Sequence, residues 1–312
     1  METWRRLLYA EAVKLRRLRL IWIALGLLLL FVGLAYYLSY EGYQTILDRM
    51  RAEGGPAPGL QAVAARAYFL NLLKQMITLP RAVDVAFSVL QFPGFLMITL
   101  VAAAVVGNEF AWGTVQQNLM RGATRPTFLT AKLTAVALVV LLFMAAGLAA
   151  GIVAGGITGS AVSGWSWSWA TGRFWLDVLG LLGRLALING VYAAMAVMLS
   201  ILFRSTAIGV GATVIYRFFE GVAGLFLGQT SRWIGHVYPY LISSGHLALT
   251  ADRTVIFMGG GPGGPSSPGG PGGPEIAFQK LLPFPDAVWL MTGFLALFVA
   301  VSYLRFQRQD LL

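Results

Sequence analysis

The chain contains no cysteine. That excludes a disulfide framework, a thiolate metal site and a cysteine nucleophile. Charge is also scarce: 12% of the 312 residues are Asp, Glu, Lys or Arg, while 57% are hydrophobic. A soluble domain carries about 25% charged residues to cover its surface. Histidine occurs only at His236 and His246, outside any H-E-x-x-H or metal-spaced cluster, so both read as interfacial residues rather than ligands. No Ser/His/Asp set is legible. The Gly/Pro tract at 259–274 has no lysine and follows no strand, so it reads as a flexible linker and not a P-loop. Enzymatic chemistry is not expected of this chain, nor is any cofactor; if ATP drives it, another chain binds the nucleotide.

The apolar residues come in long runs, several of them about 20 residues, the length that crosses a bilayer as a helix. The expected fold is an all-α polytopic membrane protein with six spans. They run from about Leu20 to Tyr40, Asp84 to Val106, Ala131 to Ile157, Phe174 to Phe203, Thr206 to Leu227 and Asp286 to Leu304. Residues 1–19 form a preceding amphipathic helix, Trp4, Leu8, Leu15 and Leu18 falling near one face and basic residues crowding the rest. Such a helix lies in the membrane interface, basic face toward anionic headgroups. Residues 41–83 and 228–285 form two external segments, and "WIGHVYPYLISSGHLAL" within the second is apolar enough to dip into the outer leaflet.

The formal net charge of +10 would suggest nucleic acid as a partner of a soluble chain. Here the basic residues flank the spans. The arm, Arg121, Arg125, Arg204, Arg305 and Arg308 all fall on one side, which the positive-inside rule makes cytoplasmic, with both termini there. "WSWSW" at Trp165–Trp169 sits beyond the third span, as an interface belt does.

Two polar features stand out. Arg217 and Glu220 lie near the middle of the fifth span, three residues apart on one helix face, where they can pair. Intramembrane charge of this kind lines a pathway or holds a helix or dimer interface; Arg184 in the fourth span is a weaker case. The other feature is the polar island "GNEFAWGTVQQNLMRGATRP" between the second and third spans. Asn108 is suited to N-cap a short helix over 108–121, with Glu109 and Arg121 at the dipole ends they favour and Gly122 at C′. Trp112, Val115 and Leu119 form an apolar stripe facing the bilayer or bundle; Phe110, Thr114, Gln117 and Arg121 form the opposite, outward one. Such a helix is either a plain connector or a docking element.

The island resembles the cytoplasmic segment of ABC-2 type transporter permeases on Glu109, Gly113-Thr114, Leu119, Arg125-Pro126 and Lys132. The basic arm and the tail "LRFQRQDLL", with Arg308 and Asp310, resemble the family too. The resemblance implies a permease in the cell membrane of a prokaryote, paired with a second permease and bound to two separate ATPase subunits that hold ATP and Mg. It makes 108–121 the coupling helix, with Glu109, Phe110, Thr114, Gln117 and Arg121 as its ATPase contacts, and export the direction of transport. The alternatives are a non-transporting scaffold or sensor coupled to an ATPase, and an intramembrane enzyme. The second lacks any acid, base or metal cluster in the spans.

Overall fold

The computed structural model describes residues 2–52, 60–120, 124–227, 237–253 and 282–308. Arg121, Gly122, His236, the Gly/Pro tract 259–274 and the tail residue Asp310 lie outside them. Eleven α-helices and one 3-10 turn make up the described chain: α1 Glu2–Arg17, α2 Arg19–Ala52, α3 Leu60–Ile77, α4 Val83–Gln91, α5 Pro93–Ala111, α6 Thr114–Met120, α7 Arg125–Ser163, α8 Gly172–Phe203, α9 Thr206–Leu227, the turn Tyr238–Tyr240, α10 Ile242–Thr250 and α11 Phe284–Arg308. Five of these, α2, α5, α7, α8 and α11, are long and apolar enough to cross a membrane. The chain is therefore an all-α, multi-pass membrane protein. The fifth expected span forms as α9, a 22-residue helix that carries Arg217 and Glu220 and is not among those five.

Two spans outrun their apolar cores. With 34 and 39 residues, α2 and α7 are roughly 50 and 60 Å long at 1.5 Å per residue, against about 30 Å of hydrocarbon. The end of α2 is accordingly polar and exposed, with Asp48 and Arg51 paired at 3.5 Å. The second expected span is broken. Pro93 has no N–H to continue the α4 ladder, and Phe92 before it is distorted to φ −116°, ψ −66°, so α4 ends at Gln91 and α5 starts afresh.

Three glycines explain how tightly the broken span packs. A Cβ at Gly147, Gly151 or Gly155 of α7 would overlap Leu90, Ala86 or Ala82 respectively. The four-residue spacing puts all three on one face, and the missing side chains let α4 lie directly on it. Beside this contact Tyr36 of α2, 1% exposed, donates its hydroxyl to the Ala82 carbonyl.

The larger core joins α2, α4, α5, α7 and α8, and it includes the leucine side of the arm: Leu15 and Leu18 pack against it while Arg16 and Arg17 are exposed. A second core joins Phe95 of α5, Ile188 and Tyr192 of α8, Ile242 and Leu249 of α10, and Met291 of α11. Thus the described part of the segment expected at the outer leaflet, residues 237–249, is a 3-10 turn and a short helix packed into the bundle.

Candidate functional site

The arm, the island, the foot of α7 and the end of α11 meet at one end of the bundle. Arg125 donates to the Gln307 carbonyl at 2.6 Å, and Thr130 and Tyr303 share a 2.6 Å hydroxyl hydrogen bond. Phe306 stacks on Phe128 and meets Phe110 edge-on. Thr206 donates to Asn108 Oδ1 at 2.9 Å, which brings the α8–α9 turn to the same end. Gly107 makes that approach possible, since a Cβ there would strike the Thr206 backbone.

The island's helix begins later than the sequence suggests. Asn108 does not cap it: α5 runs through to Ala111, with the Trp112 N–H on the Asn108 carbonyl at 3.0 Å. The break falls at Gly113, whose φ of +65° is the left-handed conformation glycine adopts freely. Only then does the seven-residue α6 start. Trp112, expected in the inner stripe, is therefore 68% exposed, while Val115 is buried and Leu119 packs on the core.

Of the expected outward residues, Gln117 is exposed. Phe110 packs on the core, and Thr114 donates to the Glu109 carbonyl at 3.3 Å. Arg121 lies outside the described residues. Met120, 79% exposed, joins Trp112 and Gln117 on the open surface.

Glu109 is buried and faces inward, into a four-charge cluster. Lys132 of α7 reaches Glu11 of the arm at 2.6 Å and also bonds Glu109. Lys14 of the arm lies 3.0 Å from Glu109 and 3.2 Å from Glu11. Lys132, Glu11 and Glu109 are 2%, 4% and 7% exposed. Burial works against the Lys14 ammonium, but the two carboxylates outweigh it and hold its pKa above the ordinary value. The cluster clamps α1, the end of α5 and the foot of α7 together directly behind the exposed patch.

Deep in the bundle, Arg217 and Glu220 serve different neighbours. Arg217 donates to the Gln91 carbonyl at 2.7 Å and its guanidinium lies over the rings of Phe95 and Tyr192. Glu220 accepts from the Ser243 backbone N–H and hydroxyl, both at 2.8 Å. His246, expected at an interface, is buried, its Nε2 3.1 Å from Gln91 Oε1. Arg184 lies toward the end of the bundle away from the arm: its Nη1 lies 2.7 and 2.9 Å from the two Asp252 oxygens, and the guanidinium covers the Phe284 ring. Next to it Arg253 approaches Asp84 at 3.4 Å and Asp177 at 3.3 Å. These pairs tie the end of α10 to α4 and α8.

The apolar, multi-pass bundle agrees with the sequence comparison. The family described as ABC-2 family transporter protein matches residues 6–311. The chain belongs to the ABC-2 transporter family. It is a membrane permease of an ABC transporter, a transmembrane component rather than the catalytic one, and its family implies an ABC ATPase partner. Comparison with curated proteins returns no match.

The contacts sequence reasoning missed are those between residues far apart along the chain. Glu11 lies 121 residues from Lys132 and Gln91 lies 126 from Arg217. The available signal was chemical: Glu11 is an acidic residue inside a basic arm, and Gln91 immediately precedes the Phe-Pro break.

Proposed function

We propose that this ABC-2 permease exports its substrate as part of a dimer, with energy delivered by cytoplasmic ATPases at the island. The observation that carries the reading is the juxtaposition at the arm end. Trp112, Gln117 and Met120 form an open patch, and Glu109 behind it is locked to α1 and α7 by buried ion pairs. A push on the patch is therefore passed to three helices at once, as a rigid clamp requires. ATP and Mg would bind in the ATPase, since this chain has no P-loop lysine to hold phosphate. The basic residues at the arm end support reading it as the cytoplasmic face of the plasma membrane, with both termini there and the lysine- and arginine-rich arm suited to anionic lipids. Bacterial or archaeal origin follows the family resemblance.

Contact with the ATPase is tested by photo-crosslinking. A photoreactive amino acid at Gln117 or Met120 should join the permease to the P-loop subunit that co-purifies with it, whereas one at the exposed Tyr37 of α2 should not. A co-purifying subunit that crosslinks from neither island position would overturn the docking assignment. Transport is tested separately: ATP hydrolysis by the complex in vesicles should rise with substrate and should move it across the bilayer. Hydrolysis without any movement, over a panel of amphiphiles, peptides and lipids, would instead identify an ATPase-coupled scaffold.

A further inference from the structure

Two helix ends inside the bundle are capped by the same neighbouring helix. The C-terminal carbonyls of a helix lack intrahelical donors and carry partial negative charge; the N-terminal N–H groups lack acceptors and carry partial positive charge. At the Phe92–Pro93 break the C-terminus of α4 presents the Gln91 carbonyl, and Arg217 of α9 caps it. One turn further along α9, Glu220 caps the N-terminus of α10 through the Ser243 N–H and hydroxyl. Each charge matches the sign of the dipole end it meets.

Arg217 and Glu220 are also three residues apart on one helix, the spacing at which opposite charges pair. In this structure they form no ion pair with each other. Both Glu220 oxygens are engaged by Ser243, while Arg217 Nη1 and Gln91 Nε2 are buried without a hydrogen-bond partner among the described residues. Buried donors left over in this way carry an uncompensated desolvation cost, and a guanidinium without a direct carboxylate has an obvious alternative three residues along the same helix.

The geometry points to a pair-exchange switch: Arg217 and Glu220 hold α4 and α10 in the present state, and in a second state pair with each other and release both. The element is bistable because the two arrangements use the same two charges and exclude one another. It also has the right placement. α5 joins the break at its N-terminus to the island at its C-terminus, so motion of the island reaches Gln91 along one helix. Arg217 is then a positioning residue that sets whether α10 is held. Its purpose rests on the transport reading, but its operation does not.

The test is hydrogen–deuterium exchange over residues 242–250 of the full-length permease in lipid nanodiscs, without any ATPase, so it succeeds or fails independently of the docking assignment. Glu220→Ala removes the α10 cap and should speed exchange. Arg217→Gln removes the competitor for Glu220, so α10 should become better held, with exchange slower by about fivefold. A merely structural arginine predicts the reverse: exchange unchanged or faster in Arg217→Gln overturns the switch. If that variant does not fold, the charge-reversed double variant Arg217→Glu/Glu220→Arg keeps the mutual pair but loses both caps. It should exchange as fast as Glu220→Ala, and parental protection in it would overturn the proposal.

Discussion

At the scale of single residues, the decisive group is Lys132. It is the most buried of the four charges at the arm end and contacts both carboxylates. Replacing it with methionine leaves Glu11 and Glu109 facing each other with only Lys14, on the exposed side, to offset them. Removing one partner of a buried ion network costs about 3–5 kcal/mol, because the remaining charge is stranded. Lys132→Met should therefore lower the melting temperature sharply in detergent, while Lys132→Met combined with Glu109→Gln should recover part of the loss. A single variant that melts like the parent would show that the cluster is not closed to solvent. Glu109 and Lys132 were visible in the sequence because one lies in the island and the other just beyond it. Their role was not, because it depends on Glu11, and a contact across 121 residues leaves no trace in local pattern.

At the scale of elements, periodicity located the helices but not their ends. The α5–α6 boundary illustrates the reason. Asn108 is a good cap by residue type, yet the chain stays helical there because its side chain is taken by Thr206, and Gly113 provides the break. Tertiary partners overrode local preference. The α4–α7 contact shows the opposite case: the glycine spacing at 147, 151 and 155 was in plain sight, and it needed only the facing helix to acquire meaning. Those glycines should differ in tolerance. At Gly151 the obstacle is the Ala86 Cβ, which has nowhere to move; at Gly147 it is the flexible tip of Leu90. Gly151→Ala should cost about 1–3 kcal/mol, as overpacking does, and Gly147→Ala should cost less, both read from thermal unfolding monitored by helical circular dichroism. Equal losses at the two sites would mean that α4 shifts as a body.

At the scale of the whole molecule, the two ends of the bundle are held by different electrostatics. At the arm end three of the four charges, Lys132, Glu11 and Glu109, are buried and only Lys14 is open. At the other end one carboxylate, Asp84, is buried against Arg253, and the remaining pairs are more open: the Arg184 and Asp252 side chains are 24% and 55% exposed, and those of Arg253 and Asp177 are 29% and 53% exposed. Exposed pairs contribute about 0–1 kcal/mol and are screened by salt, whereas a buried cluster is barely screened. On the proposed reading, in which an ATPase pushes at the arm end, the end that receives the push would be the more firmly held of the two. The asymmetry makes a prediction that involves both ends together. Arg184→Gln/Asp252→Asn should melt within a few degrees of the parent, far above Lys132→Met, and raising the salt from about 0.1 to about 1 M should speed amide exchange in α10 while leaving α1 unaltered. If salt loosens α1 as readily as α10, or if the Arg184–Asp252 pair proves as costly to remove as Lys132, the two ends are equivalently held.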